Sequence, residues 1–592
     1  MENIYKSTLI KWCDKLCDLQ ITNRPEPYFF GAVHCPACGR FHGRIGDSVY
    51  PLLTAAKLTG DMKYATAAEN AFTWAEKNVL RDNGSFFNDQ NSGWAGVTTF
   101  LCTSIAEALN TCGEVINDGF KERLKLRLKN GVDFCYDFIP PSSTVINYKL
   151  SIAGALAATV KALDDESYMI KAKEIVKKAP HYFAEADGLL WGEHADFQHC
   201  DGDDAIEIIS KKGCRAVDIG YDVEETIPSL CLYAEIAEDE EFKLFLKKAL
   251  SDHLYFMLRD GGWDNSFGIR MAKWTYWGSR TSDGCQGAYG RFAYMDPKFP
   301  EVAHRSFMQY LDCTADGLLH GGPMYIEEGQ PPCTHHTFCH AKSAADMVNF
   351  GFTYNGYTPL PFDENCYKYF PSADLHLLKQ GQWRVSVSGF DLPAPDFKYS
   401  TGLTLLQQDN YGTVFAASMP SYFLEEANNM QYQTYNTYAP FETSECQTPR
   451  LISVTPSGYS NIYDRECVIA YNEEENSFKI EGQLKNKKFE GDIDYALSLQ
   501  IADTFTLTAK AVEETYLVLP VVAGSKDKVL IDGNTLTVER NGCILTLKSN
   551  CEITSDYKEN LRNFNPCGGF ATYPVKIHIP KGNEARVEIK IN

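Results

Sequence analysis

The chain has 592 residues, of which 44% are hydrophobic and 23% charged, the composition of a globular protein long enough for two large domains. Its net charge of −22 and pI near 5.1 exclude nucleic acid or an anionic membrane surface as the main partner, because both require a cationic field. A small anionic substrate is not excluded, since a few local Arg and Lys residues can hold one carboxylate inside an acidic protein.

The N-terminal stretch MENIYKSTLIKWCDKLCDLQ scatters charges where an export signal would have its apolar core. No run of about 18 apolar residues predicts a membrane span, so a cytoplasmic location is expected. The 20 cysteines follow no compact disulfide framework and read as reduced, mostly buried small hydrophobes.

Up to about residue 355 the apolar residues recur at helical spacing. Helices are predicted over 2–20, 45–59, 63–79, 97–114, 119–138, 147–162, 165–184, 226–237, 239–257, 284–294, 299–312 and 336–350. Paired by short turns, they predict an N-terminal (α/α)6 toroid over 1–360. Four long loops, 81–96, 187–225, 260–283 and 314–335, are rich in Trp, Gly, Asp and Asn and are expected to build a cup at one rim. From about residue 366, short β-branched or alternating runs punctuated by turn residues predict a C-terminal antiparallel β-sandwich over 361–592. Asp532–Gly533 and Asn541–Gly542 read as hairpin turns.

Chemistry concentrates first in Gly261–Gln286, GGWDNSFGIRMAKWTYWGSRTSDGCQ. Asp264 follows Trp263, with Trp274, Tyr276 and Trp277 close in sequence. A carboxyl group against apolar rings has its charged form desolvated, which suits a general acid. Arg280 and Lys273 are candidates to clamp a substrate carboxylate, with Asp283 orienting Arg280 or acting itself. The competing reading is a structural loop covering the toroid mouth.

The second constellation is DIGYDVEETIP, Asp218–Pro228. Pro228 is tolerated only in a first helical turn, so Glu224 and Glu225 stand at a helix threshold, where the dipole favours an ionised carboxylate. Glu224 is the preferred base or nucleophile, Glu225 the substitute, and Tyr221 a substrate contact; plain helix capping is the bland alternative. Two carboxyl groups tuned in opposite directions are the pattern of glycoside hydrolysis, retaining at about 5–5.5 Å separation and inverting at about 6.5–9.5 Å.

The third is PCTHHTFCH, in which His336 and His340 share a helix face. With His335 they read as substrate-pocket residues; a catalytic metal is not expected, and the glutamate of a His-Glu-x-x-His motif is absent. The fourth is HCPACGRFHGRIGD. Cys35 and Cys38, flanked by His34 and His42, could ligate a structural zinc, although no second ligand pair is evident. A Gly-rich loop leading into a helix, with Arg44 and Asp47 at the cup, is the other reading. Trp94, Asn147, Tyr148, Trp191, Glu193 and His194 lie in or beside the predicted rim loops.

The stretches HCPACGRFHGR, DIGYDVEETIPSL, KWTYWGSRTSDGCQ and HHTFCHAK resemble glycoside hydrolase family 154, whose members include exo-acting β-glucuronidases. The resemblance implies release of a terminal β-linked glucuronic acid from an oligosaccharide or conjugate. Three functions follow as expectations. The first is an exo-β-glucuronidase with Glu224 and Asp264 as its carboxylate pair. The second is a uronate polysaccharide lyase with Tyr276 or a histidine as base and Arg280 neutralising the carboxylate. The third is a non-catalytic carbohydrate-binding protein. Self-association into a homo-oligomer is compatible with all three.

Overall fold

A computed structural model describes residues 3–37, 39–88, 94–142, 146–191, 209–269, 274–276, 278–279, 282–392, 401–417, 421–424, 431–432, 442–446, 448–555, 564–565 and 569–592. The first part is a closed ring of paired helices. Six inner helices, Val49–Thr59, Thr98–Thr111, Ile146–Leu163, Ile227–Ile236, the short Gln286–Tyr289 and Thr334–Asn349, each pack on the next, and the last packs on the first. Each carries an outer partner: Lys63–Asn78, Asp118–Ser142, Ser167–Val176, Glu240–His253, Lys298–Asp312 and Ile4–Leu19. The first helix of the chain is thus the partner of the last, and that pairing closes the (α/α)6 toroid.

The sequence separates the two rings. Ile146–Leu163 is buried without a break from Ile146 to Thr159, as expected of a helix covered on all sides. The outer Lys298–Asp312 instead buries one stripe that includes Phe299, Val302, Ala303, Phe307 and Tyr310. Each fully buried Leu or Phe contributes about 1.5–3 kcal/mol relative to leaving it exposed. No described helix is long and apolar enough to cross a membrane.

From Cys366 the chain forms antiparallel sheets. The first is a meander of five strands, Cys366–Phe370, Leu375–Gln380, Trp383–Ser388, Gly402–Gln408 and Gly412–Ala416. Both faces of its central strands are covered, and their side chains alternate between two cores. Leu375 and Leu377 join the helical core, whereas Leu378, Val385 and Val387 join the β core. This sheet is the layer between the two parts of the molecule.

Beyond it lies an eight-stranded sheet running from Val468–Asn472 at one edge to Lys528–Asp532 at the other. A second sheet contains Arg450–Ser453, Thr515–Val522, Phe570–Ile579 and Ile553–Thr554. The expected Asn541–Gly542 turn joins paired residues Arg540 and Cys543, with φ of 51° and 77° at its two central residues, the signature of a primed hairpin turn.

Candidate active site

The N-terminal ends of the inner helices meet at one rim. Arg44 and Asp47 come from the 3-10 turn Gly43–Ser48 that enters the first inner helix. Phe100 sits in the first turn of the second, Asn147 and Tyr148 in that of the third, and His335 and His336 in that of the last. Glu224 and Glu225 precede the fourth, and Asp283 precedes the short fifth. Helix N-termini carry partial positive charge, which offsets part of the negative charge that Glu224, Glu225, Asp47 and Asp283 bring to this rim.

The stretch Asp222–Thr226 is one π-helical turn, continuous with the helix that starts at Ile227. Such wide turns are recurrent at functional sites, because the extra residue re-aims side chains. Here the turn points two consecutive glutamates into the ring. The Glu224 carboxylate accepts hydrogen bonds from Ser282 and from the Tyr310 hydroxyl at 3.2 Å, and it lies 3.9 Å from His340 Nε2. Gly278 packs directly on it: a Cβ there would come within 2.2 Å of the carboxyl carbon. The Glu225 carboxylate accepts from Asn147 Nδ2 at 2.8 Å. Asp222, at the start of the turn, is buried 3.7 Å from His253, and burial pushes its carboxyl up to about 6.

Four charges form a buried cluster beside these glutamates. Arg44 Nε pairs with Asp47, and Arg44 Nη2 lies 3.0 Å from Asp283. Lys342 Nζ lies 2.7 Å from Asp283 and 3.3 Å from Asp47. Burial opposes both cations, but the facing carboxylates outweigh it and raise both pKa values. Asp283 is the most exposed of the four, its side chain 23% accessible. Phe100 is the hub between the cluster and the rim. The Arg44 guanidinium lies 4.9 Å from its ring centroid and the Lys342 ammonium 5.8 Å, while the Tyr148 ring packs 5.4 Å away. The Tyr148 hydroxyl accepts the Trp94 indole N–H at 3.1 Å, and Trp94 itself is 44% exposed at the mouth.

Below the rim a narrow cavity runs down the toroid axis, from Glu224, Glu225, Asp283 and Lys342 to Glu107, Arg291 and Asp346. Arg291 Nη2 lies 4.0 Å from Glu107 and 3.9 Å from Asp346. Burial raises the Glu107 carboxyl to about 7; Arg291 counteracts this and Asp346 reinforces it.

The tryptophan loop divides. Its first half is not a wall of the cup but a bolt between the two parts of the molecule. Asp264 Oδ2 accepts from Ser386 Oγ at 2.5 Å and lies 3.7 Å from Arg384, both residues of the covered sheet. Arg384 in turn donates to the backbone carbonyls of Met257 and Tyr255. Trp263 is fully buried and stacks on Tyr289, so it packs the core rather than a sugar. Tyr276 donates to the Asp260 carboxylate and packs edge-on against Phe570. Burial and then Asp260 push its phenol well above the usual value.

Among the described residues of the loop, Gly278 and Ser282 to Gly284 are those that reach Glu224 and the cluster. Lys273, Trp277 and Arg280 lie outside the described residues, as do Cys38, Glu193 and His194; the Trp274 side chain does also. Tyr221 is buried at the start of the π-turn segment. His336 and His340 are wholly buried on the last inner helix, His340 with Nδ1 2.9 Å from the His336 carbonyl and Nε2 facing Glu224. His335 packs 5.3 Å from His42. Sequence reading missed Lys342 and Tyr310. Lys342 follows His335 by seven residues, two helical turns on the same face, and that spacing was the available signal. Tyr310 lies in an outer-type amphipathic pattern, and nothing local marks it.

Comparison with known proteins places these features. The model of the ulvan lyase N-terminal domain matches residues 9–355, and that of the ulvan lyase C-terminal domain matches 367–592. A broad-specificity ulvan lyase of Formosa agariphila is 33% identical over 599 aligned positions, covering 97% of this chain and 92% of that protein. Among solved structures, the chondroitin AC lyase of Streptomyces coelicolor A3 shares the fold, with a TM-score of 0.52 and 10% identity over 100% of this chain and 80% of that one. These matches overturn the glycoside hydrolase reading and, with it, the exo-β-glucuronidase assignment through family 154. The paired roles of Glu224 and Asp264 go with that reading, and the Asp264 carboxylate is in any case taken up between the two parts of the molecule. What holds of the resemblance is its coarser content, a polysaccharide-degrading toroid enzyme. With both halves matched in order along one chain, the protein belongs to the ulvan lyase family.

Proposed function

We propose that the chain is a polysaccharide lyase that cleaves a uronate-containing glycan such as ulvan by β-elimination. The observation that carries this reading is the full-length similarity to the Formosa agariphila ulvan lyase. The rim supports it. Elimination requires a base for the C5 proton, a positive environment for the carboxylate that takes up charge, and a proton for the departing C4 oxygen.

Tyr148 is the base and then the acid. It stands at a helix N-terminus at the mouth, and the indole N–H of Trp94 points at its oxygen, where it stabilises developing negative charge. Trp94 presents an exposed ring to a sugar face. Arg44 and Lys342 are neutralised by Asp47 and Asp283, so the clamp on the uronate carboxylate is assigned to Arg280, with the helix N-termini of the rim adding partial positive charge. Glu224 and Glu225 hold the π-turn and Asn147 in place. A cytoplasmic location remains part of this proposal, and cell fractionation reads it.

The test is to incubate the protein with ulvan and follow ultraviolet absorbance of the C4–C5 unsaturated uronate. Absorbance rises in step with new reducing ends if the bond is broken by elimination. Reducing ends without absorbance mean hydrolysis and overturn the reading. Tyr148→Phe, which keeps the ring but not the proton, is expected to lower turnover by about 10²–10⁴-fold with the melting temperature maintained. Full activity in that variant removes Tyr148 from the mechanism.

A further inference from the structure

Outside the catalytic rim, the chain brings three buried soft ligands together from distant positions. Cys35 Sγ lies 3.6 Å from Cys333 Sγ, and Cys333 Sγ lies 3.7 Å from His42 Nε2. The three ligand atoms lie within 4.8 Å of one another, and all three residues are buried. The sulfurs are well beyond the roughly 2.05 Å of a disulfide bond. They fit a metal instead. With Zn–S of about 2.3 Å and Zn–N of about 2.0–2.1 Å, a tetrahedron has S···S edges near 3.8 Å and S···N edges near 3.6 Å. The observed 3.6 Å and 3.7 Å match those edges.

The local backbone is built for the same purpose. His34 and Phe41 pair as an antiparallel bridge, Cys35 N–H donates to the Arg40 carbonyl at 3.0 Å, and Gly39 N–H donates to the Cys35 carbonyl at 3.0 Å. Gly39 takes φ of 63°, a conformation the tight turn needs and other residues resist. The result is a knuckle presenting Cys35. His42 follows directly after the bridge. Cys333 is the capping residue of the helix Thr334–Asn349, where the helix dipole favours a thiolate.

We propose that Cys35, His42 and Cys333 bind a structural zinc ion that clips the entry loop to the last inner helix. Two thiolates and one imidazole suit this borderline-soft cation, and each thiol releases its proton on binding. The clip would fix the register of the rim. His42 immediately precedes the turn that carries Arg44 and Asp47, and Cys333 immediately precedes the helix that carries His335 and Lys342. The ion therefore ties together the two segments whose side chains form the Arg44–Asp47–Lys342 cluster. This site is independent of the lyase reading.

The test is elemental analysis of the full chain purified under reducing conditions from zinc-supplemented medium. The expected result is one zinc per chain, with iron, cobalt and copper at background. Removing it with a chelator is expected to lower the melting temperature, and zinc alone restores it; this arm needs no variant. Replacement by cobalt is expected to give thiolate-to-metal charge-transfer absorption and the strong visible bands of a tetrahedral site. A Cys35→Ser/Cys333→Ser double variant is expected to lose both the metal and these bands. Metal-free protein, a Cys35–Cys333 disulfide in peptide mapping, or one zinc retained by the folded double variant each overturns the proposal. Loss of lyase activity without any change in metal content speaks to the rim alone and leaves the two claims distinguishable.

Discussion

The tryptophan loop and the last inner helix look equally rich in chemistry along the sequence, yet they do different work. The loop spends its conspicuous residues on packing: Asp264 on Ser386 and Arg384 and Tyr276 on Phe570 at the boundary between toroid and sheets, Trp263 on Tyr289 in the helical core. The helix Thr334–Asn349 sends Lys342 into the charge cluster and His340 against Glu224. Both segments need buried polar groups that are paired. The difference is what they pair with. A domain boundary satisfies its polar groups within itself, whereas the rim leaves Asp283 and Trp94 partly open to solvent.

The contrast can be broken at the loop. Trp263→Ala empties a fully buried stacking position and is expected to cost about 3–5 kcal/mol of stability, with turnover per folded molecule unchanged. Denaturant midpoints read beside the ultraviolet assay check both halves of that statement. A parallel loss of turnover would place the first half of the loop back in the cup.

A second measurement sharpens the comparison beneath the rim. Glu107 has its carboxyl raised from 4.5 to about 7 by burial, so its protonated form is the one the fold favours. Its contribution is fully present below pH 4.5 and is lost as pH rises toward 7. The span corresponds to about 3 kcal/mol. Glu107→Gln, which keeps the shape and cannot ionise, is expected to remove most of that slope from melting curves taken across the window. An unchanged slope would assign it to other groups.

The smallest expected effect concerns Gly278, a loop position that touches the rim. Gly278→Ala places a methyl group against the Glu224 carboxylate, which must move. Displacing a positioning group by about 1 Å costs on the order of 10²-fold in turnover. Wild-type kinetics in this variant would detach Glu224 from the site's geometry.

The helical ring was legible because burial on all sides leaves a mark on composition. Ile146–Leu163 reads as mostly apolar and Lys298–Asp312 as striped, the contrast that the structure shows as inner and outer helices. The β part was legible through its alternation and its Asn541–Gly542 turn. The site was legible only in part. Glu224, Glu225, Arg44, Asp283 and the histidines stand out by type and by their place before helices, and they do converge on one end of the ring. Lys342 and Tyr310 do not stand out, because their partners are 59 and 86 residues away in the chain.

By itself, then, the sequence determined the periodicities: twelve helical segments, a change to period two after residue 366, and a set of costly residues at loop and helix boundaries. Local spacing dictates such features, since they depend on which face of one element is apolar. Only the tertiary structure decided which of those residues share a space. The π-turn at Asp222–Thr226 aims Glu224 inward, the covered sheet claims Asp264, and ring closure brings Cys333 to Cys35 across 298 residues. Those outcomes depend on packing between elements far apart in the chain, which no local pattern encodes.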